Sequence, residues 1–495
     1  MRETRISTLF LVGLLSVVGL PPRITAQQKL EPRYKLIDLG TFGGPHSAVG
    51  GSQTVDVTNT RSVAGGADTL IPDPYAPECF NRRCFVEHAF RWRMGVLTDL
   101  GALPGGYSST AYAINQNGLI VGWSQNGVID PLTGVPEYVP TAWRKGEVIE
   151  IGTFGGAFGQ ASAVNDNDFG VGAAENTIAD PFALADLFGI GGTTELHAFG
   201  WTRQRGLFDL GSLGGPGAVS LSVNSRRQVV GTSFTSSTPG PLGIPPLEPF
   251  LWHDGAMISL GTLGGTLGIA AKITHQGQVV GDSDLEGDST QHGFSWKDGV
   301  LTDVGTLGGD FSTAKWVNES GEVVGYASTN SGLVKGFHWK DGHMRNLGTV
   351  ENDLCSAAWS INEAAQIVGN SAANCEFDGD ERAFLWERGQ IFDLNGFVPA
   401  DSPLYLFEAD FINDRGDITG PALLPSGDVH QYLLIRCNAK EFEGCRESEK
   451  HGSTRVQSAA PRAYGSMKSG IKMINGGSVS DIRERVRKIR PELDR

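Results

Sequence analysis

The sequence predicts an all-β fold, a β-propeller of four-stranded blades, on three observations. First, a nine-residue phrase, VNESGEVVG at Val317, recurs as INQNGLIVG at Ile114, VNDNDFGVG at Val164, VNSRRQVVG at Val223, ITHQGQVVG at Ile273, INEAAQIVG at Ile361 and INDRGDITG at Ile412, with a worn copy at Val57. Second, aromatic pairs two residues apart recur ahead of tight-turn sequences. Third, a Leu-Gly mark returns at intervals of 61, 51, 59, 50, 44, 43 and 47 residues. Four strands in about 40–50 residues is the size of a propeller blade.

One unit, residues 293–327, shows why each strand forms. Phe294 and Trp296 stand two apart and therefore share one face of the first strand in the unit, as do Phe90/Trp92, Phe199/Trp201, Phe250/Trp252, Phe337/Trp339 and Phe384/Trp386, with Trp143 alone in a degraded copy. Seven of the ten tryptophans occupy this slot, the placement expected of a core-filling aromatic. Asp298-Gly299, Asp254-Gly255 and Asp341-Gly342 follow; Asp-Gly between alternating apolar runs is a hairpin signal, because Gly accepts positive φ. The next strand ends at the Leu-Gly mark (Leu39, Leu100, Ile151, Leu210, Leu260, Val304, Leu347, Leu394), and the Gly-Gly that often follows lets the chain bend sharply.

The repeated phrase then closes a second hairpin. Asn318 suits the first position of a type I turn and Gly321 the fourth. Asn recurs at 115, 165, 224, 362 and 413, whereas Asp168, Arg227 and Ala365 replace Gly, so those turns are expected to be strained or built differently. Glu319 and Glu322 vary between copies and are expected in solvent. The last strand ends at a Gly in every copy, as at Gly325, where close backbone approach would need the missing side chain.

The chain starts and stops partway through a unit. Residues 34–39 read as a lone strand, and residues 430–435 as its missing partner, so the two ends can share a sheet and remove an exposed edge. Counting that composite blade gives eight blades; seven is the alternative if the region around Asn395 is incomplete, and a β-solenoid is the third choice.

Residues 1–26 read as a secretory signal peptide. Arg2 and Arg5 precede an apolar stretch from Leu9 to Leu20, too short for a membrane span of about 20 residues, and Ile24-Thr25-Ala26 offers a cleavage site. Secretion or a periplasmic location is therefore expected. The six cysteines agree, with Cys79/Cys84, Cys355/Cys375 and Cys437/Cys445 preferred as pairs although 15 pairings are formally open. Net charge is −15; a leader at +2 and a 438–495 tail at +5 leave residues 27–437 at −22. So acidic a body argues against a nucleic-acid partner. The tail reads as a flexible basic segment, loosely attached, in which Ser478 caps a short helix with Ile482, Val486 and Ile489 on one side.

His88-Ala89-Phe90, His197-Ala198-Phe199, the Leu-Gly-x-Leu-Gly-Gly runs and the Ile/Val-Asn-x-x-Gly-x-Val-Val-Gly runs resemble those of the bacterial extracellular HAF repeat proteins. The likeness covers about residues 34–435. Pro140, Glu248 and Lys335 stand near the place of the His elsewhere, and His292 precedes Gly. The resemblance implies export and a repeat fold, and it brings no catalytic residues.

No catalytic motif is found: Gly-x-Ser-x-Gly, His-Glu-x-x-His and the P-loop pattern are all missing. No enzyme activity and no cofactor are assigned. Asp282, Asp284 and Asp288 have the spacing of a calcium loop, but position twelve is Gly293, not Glu, leaving a weak metal candidate. Long inserts at 66–87, 123–139, 173–196 and 232–247 occupy the same connection and should cluster on one face. Three of them carry Asp73-Pro74-Tyr75, Asp130-Pro131 and Asp180-Pro181-Phe182; with Tyr138 these are the candidate binding residues. The expected function is a monomeric binding or display scaffold for an extracellular glycan, peptide or envelope protein. The rival is a hydrolase or lyase acting on extracellular polysaccharide, which requires paired carboxylates in one pocket.

Overall fold

The computed structural model describes residues 32–49, 57–77, 79, 81, 83–377, 381–437 and 478–489. Strands Ser109–Ile114, Ile120–Ile129, Pro136–Arg144 and Glu147–Glu150 form a four-stranded antiparallel meander. The meander repeats over 43–99, 159–209, 218–259, 264–303, 308–346 and 355–393. The sheet at 405–436 is completed from the other end of the described chain: Tyr34–Asp38 runs antiparallel to Val429–Arg436, from Tyr34↔Arg436 to Asp38↔Tyr432. The expected sharing of a sheet by the two ends is present.

Each sheet has the same physical logic. The Phe of the aromatic pair, at 90, 199, 250, 294, 337 and 384, is wholly buried and lies opposite the second-strand Gly. By register, Thr141 and Tyr432 fill this slot in the two remaining sheets. That Gly is compelled by its neighbour. In six of the sheets a bulge in the first strand brings a carbonyl over the glycine, so a Cβ at Gly325 would lie 1.9 Å from the Thr313 oxygen. No side chain fits there. Gly122, against Thr110, repeats the approach at 2.0 Å.

The Asn hairpin does more than turn the chain. Gly321 N–H donates to the Asn318 carbonyl at 3.0 Å, closing the turn, and Asn318 Oδ1 accepts the Glu322 N–H at 2.9 Å. Its Nδ2 then crosses to the next sheet and donates to the Asn362 carbonyl at 3.1 Å. The same bond runs from Asn115 to Asn165, Asn165 to Asn224, Asn224 to Thr274 and Asn362 to Asn413. Asn413 donates to the Thr58 carbonyl, carrying the ladder across the chain ends. Where Thr274 replaces Asn, Gln278 Nε2 reaches the Gly321 carbonyl instead. A second ladder lies beside it: Glu319 accepts from His275 N–H, Glu363 from Glu319 N–H and Asp414 from Glu363 N–H.

Two sequence expectations change here. Glu322 is not solvated; it is buried, and it accepts from Lys340 and lies 3.4 Å from His338. Asp168, Arg227 and Ala365 keep the common turn and adopt φ of 58°, 59° and 55°, so these copies are strained and not rebuilt. At Asp168 the side chain compensates, accepting from Asn115 Nδ2 at 2.8 Å and from Arg144.

Helix α1, Leu184–Leu187, lies in the third insert, and helix α2, Val479–Ile489, in the C-terminal segment. Ser478 and Asp481 cap α2 reciprocally: Ser478 N–H donates to Asp481 Oδ2 at 2.8 Å, and Asp481 N–H to Ser478 Oγ at 3.3 Å. The helix is docked and not loosely attached; the rest of the basic tail, 438–477 and 490–495, lies outside the described residues. Val479, Ile482 and Val486 are buried against α1 and the inner strands of neighbouring sheets, because their apolar stripe meets an apolar hub. The side chain of Ile489 lies outside the described residues. Among the described residues no helix is long and apolar enough to cross a membrane.

Candidate functional site

The bulge that demands the Gly also fills the hub between the sheets. In the sheet at 218–259 the residues five and three places before the turn Asn face inward. Val219 and Leu221 join Tyr112, Trp123, Phe158, Phe234, Leu267 and Ile269 in one cluster that buries α1 and α2. Trp123 Nε1 donates to Tyr112 Oη at 3.0 Å, so the polar tips of these rings are satisfied inside the apolar half.

Toward the sheets at 308–346, 355–393 and 405–436 the same positions become aromatic and charged. Lys315 sits 5.7 Å from the Tyr326 ring centroid. Tyr326 packs edge-on to Trp359 at 5.8 Å and to Phe311 at 6.5 Å, and all three rings are half-buried. Trp359 Nε1 donates to Asn370 Oδ1 at 3.1 Å. At the positions equivalent to Thr313 and Lys315, the sheet at 405–436 carries Glu408 and Asp410. Burial drives the Glu408 carboxyl well above the usual range, with Asp410 and Glu381 adding to it. Burial lifts Asp410 to about 7 against the opposing Gln431 amide. Asp410 Oδ1 and Gln431 Oε1 are both buried without a hydrogen-bond partner.

The border between the halves is ionic. Asp284 accepts from Arg483 of α2, and burial raises its carboxyl to about 6 against that arginine. Asp282 accepts the Ala314 N–H at 2.8 Å, and burial raises it to about 7 against Lys315. Asp288 instead accepts the Thr266 N–H at 2.6 Å and its hydroxyl at 2.9 Å. The three carboxylates of the calcium-loop candidate thus serve different partners, and no group of three metal-ligating side chains occurs among the described residues.

The four inserts occupy the same connection, between second and third strands, in successive sheets. Their Asp-Pro phrases share one local design, in which the aspartate caps backbone N–H groups of the following turn. Asp73 Oδ1 accepts from Tyr75 N–H at 2.9 Å, and Asp180 Oδ1 and Oδ2 accept from Phe182 and Leu184 N–H at 2.8 and 2.7 Å. Asp130 accepts from Leu132 and Thr133. Tyr138 is buried between Trp123 and Phe158, its hydroxyl accepting the Gly191 N–H, and Phe182 is buried edge-on to Phe234. Tyr75 stacks edge-on to Tyr107 at the surface; Pro74 and Pro131 are exposed, and Pro181 likewise. What the crests present to solvent is aliphatic: Leu70, Ile71, Val128, Ile129, Leu132 and Ile178, with Leu70 71% and Leu132 72% exposed.

The His of the repeat has a structural partner in the aspartate of the following strand. His88 Nδ1 lies 2.9 Å from Asp99, His197 Nδ1 2.7 Å from Asp209, His292 Nδ1 2.8 Å from Asp303, and His430 Nδ1 3.0 Å from Asp38 across the chain ends. Where the His is absent, Ser259 donates to Glu248, and Arg382 approaches Asp393 at 3.7 Å. Disulfides join Cys79 to Cys84 and Cys355 to Cys375. Cys445, expected to pair with Cys437, lies outside the described residues. On the face of the Asn hairpins, Arg61, Arg415 and Arg436 line a depression, but Arg61 and Arg415 face Asp417 and Arg436 bonds Glu387.

Inspection of the sequence missed Glu408, Asp410, Trp359 and Tyr326. The signal was present: EADFIN at 408–413, aligned on its Asn, places carboxylates where other copies carry Thr110/Tyr112, Gln160/Ser162 or Val219/Leu221. Reading the phrase only for its turn hid the strand before it.

No protein-family model matches the chain, and no curated protein matches it. Solved structures that are similar include the Pyrococcus horikoshii acylaminoacyl peptidase, 12% identical over 74% of this chain and 52% of that one, with a TM-score of 0.38. TolB from Acinetobacter baumannii is 12% identical over 57% of this chain and 62% of that one (TM-score 0.29), and Porphyromonas gingivalis dipeptidyl peptidase 4 is 9% identical over 73% and 58% (TM-score 0.36). The chain spans roughly half to three-fifths of the length of these proteins. At such scores the likeness adds no functional argument.

Proposed function

We propose that this chain is an exported HAF-type repeat protein, an eight-bladed propeller with one blade composed of both chain ends, that binds an extracellular partner through its insert face. One observation carries the reading: six aliphatic side chains stand in solvent at equivalent crests of three successive sheets. Contiguous exposed apolar surface on a folded protein marks an interaction site. Aliphatic crests favour a peptide or an envelope protein over a glycan, whose hydroxyls need polar partners. The rigid sheets hold the inserts in place, and the Asp caps fix the loop backbone, so little order is lost on binding. Peptide and glycan arrays probed with the full chain and with Ile71→Ser/Ile129→Ser/Ile178→Ser test this. The expected result is loss of peptide binding at an unchanged melting temperature; binding that survives the triple replacement overturns it. A second reading, a hydrolase or lyase acting on extracellular polysaccharide, draws on the Glu408–Asp410 pair in the hub.

A further inference from the structure

One stretch of the hub gathers two carboxylates that no basic side chain of the described residues meets. At the border of the plugged half the chain supplies its own cations: Arg483 of α2 donates to Asp284, and Lys315 faces Asp282 and the Tyr326 ring. In the other half, Glu408 and Asp410 stand two residues apart in the segment that joins the short strands Tyr405–Leu406 and Phe411–Ile412, and among the described residues no Lys or Arg pairs with either. Their positions match those of Val219 and Leu221, which face the hub, so both carboxylates face it too. Glu408 is half-buried and therefore reachable. Gln431, whose side chain opposes Asp410, is 1% exposed with an acceptor oxygen that nothing satisfies.

The donor and acceptor inventory identifies the guest. Beside Glu408 the unpartnered buried atoms are acceptors, Asp410 Oδ1 and Gln431 Oε1, and a buried acceptor without a donor is costly. A sugar hydroxyl brings an acceptor with each donor; an ammonium brings three donors and no acceptor. At the equivalent bulge on the neighbouring inner strand stands half-buried Trp359, edge-on to Tyr326, the kind of aromatic face that attracts a cation. We infer that the hub beside Glu408, Asp410, Gln431 and Trp359 binds a primary ammonium group. The group comes either from a free polyamine or from a lysine side chain of a partner. This site is separate from the insert crests and stands or falls independently of them.

Calorimetric titration of the full chain at pH 8 and low salt, with spermidine, with the peptide acetyl-Lys-Ala-Lys-amide and with maltotriose, tests the inference. Saturable binding of spermidine or of the peptide is expected, the first identifying a free amine and the second a lysine side chain. Asp410→Asn and Glu408→Gln should each weaken it by about tenfold or more. Trp359→Ala should weaken it as well, while Glu351→Gln, at an exposed carboxylate, leaves it unchanged. Equal weakening by Glu351→Gln would show diffuse attraction to an acidic protein and overturn the site. So would failure of both cations to bind, or binding of maltotriose in their place, which would favour the hydrolase reading.

Discussion

Five and three residues before its turn Asn, the sheet at 218–259 carries Val219 and Leu221, whereas the sheet at 405–436 carries Glu408 and Asp410. The backbone template is shared, down to the Gly whose Cβ position is occupied by the neighbouring carbonyl: Gly231 against Val219 at 1.9 Å, Gly420 against Glu408 at 2.2 Å. The outcomes are opposite. The apolar pair buries two helices; the acidic pair adjoins half-exposed aromatic rings and holds unpartnered acceptors. Fold constraints act on the backbone positions, and the inward side chains are left to vary. Function in such a repeat protein is therefore to be sought where a copy departs from its siblings.

The largest test of that contrast is a pair of truncations. Phe234→Ala, in the plugged half, should cost about 3–5 kcal/mol in urea unfolding, the range for a wholly buried Phe. Trp359→Ala should cost about 1–2 kcal/mol, because its ring is only partly buried. Equal costs would mean that the second half is as tightly filled as the first. Next in size is the docking of α2. Ile482→Asp puts a charge into the apolar cluster, and trypsin cleavage at Arg483 and Arg485 should accelerate by about tenfold or more while the sheets keep their unfolding midpoint. Unchanged cleavage would show that the helix is held by Arg483 on Asp284 and by Arg485, which donates to the Leu187 carbonyl at 2.7 Å.

The smallest effect is in pH. Asp410 titrates at about 7 in the fold and near 3.8 when unfolded, so the folded state holds its proton more tightly. Its stabilising share is complete below about pH 4 and is lost as pH rises to 7. The groups facing it are Glu408, Gln431 and Tyr432, with Glu381 acting on Glu408. The melting temperature should fall by a few °C between pH 5 and 8, by roughly the shift that one to two kcal/mol gives. Asp410→Asn should flatten that part of the profile. A profile that Asn leaves unchanged would place the titration elsewhere.

Much of the strand arrangement was legible because it follows from spacing. Phe294 and Trp296 share a face for a period-two reason, Asp298-Gly299 turns with φ of 50° and 86°, and Tyr34–Asp38 needed a partner that residues 430–435 could supply. Glu322 was misread because variation between copies looked like exposure, although Gln278, Gln366 and Asp417 at the same place are also buried and polar. The candidate site was less legible. Asp73, Asp130 and Asp180 looked alike in sequence because they cap alike in three dimensions, and that similarity says nothing of a ligand.

By itself the sequence determined the strands, their turns and the glycine corners, since these depend on side-chain alternation and on φ values that only certain residues tolerate. The tertiary structure alone decided which residues meet. It set α2 against strands more than 200 residues earlier, linked Asn413 to the Thr58 carbonyl, and brought Glu408 and Asp410 together in a buried setting. Such contacts depend on sheets packing side by side, an arrangement of backbones in space that no local spacing encodes.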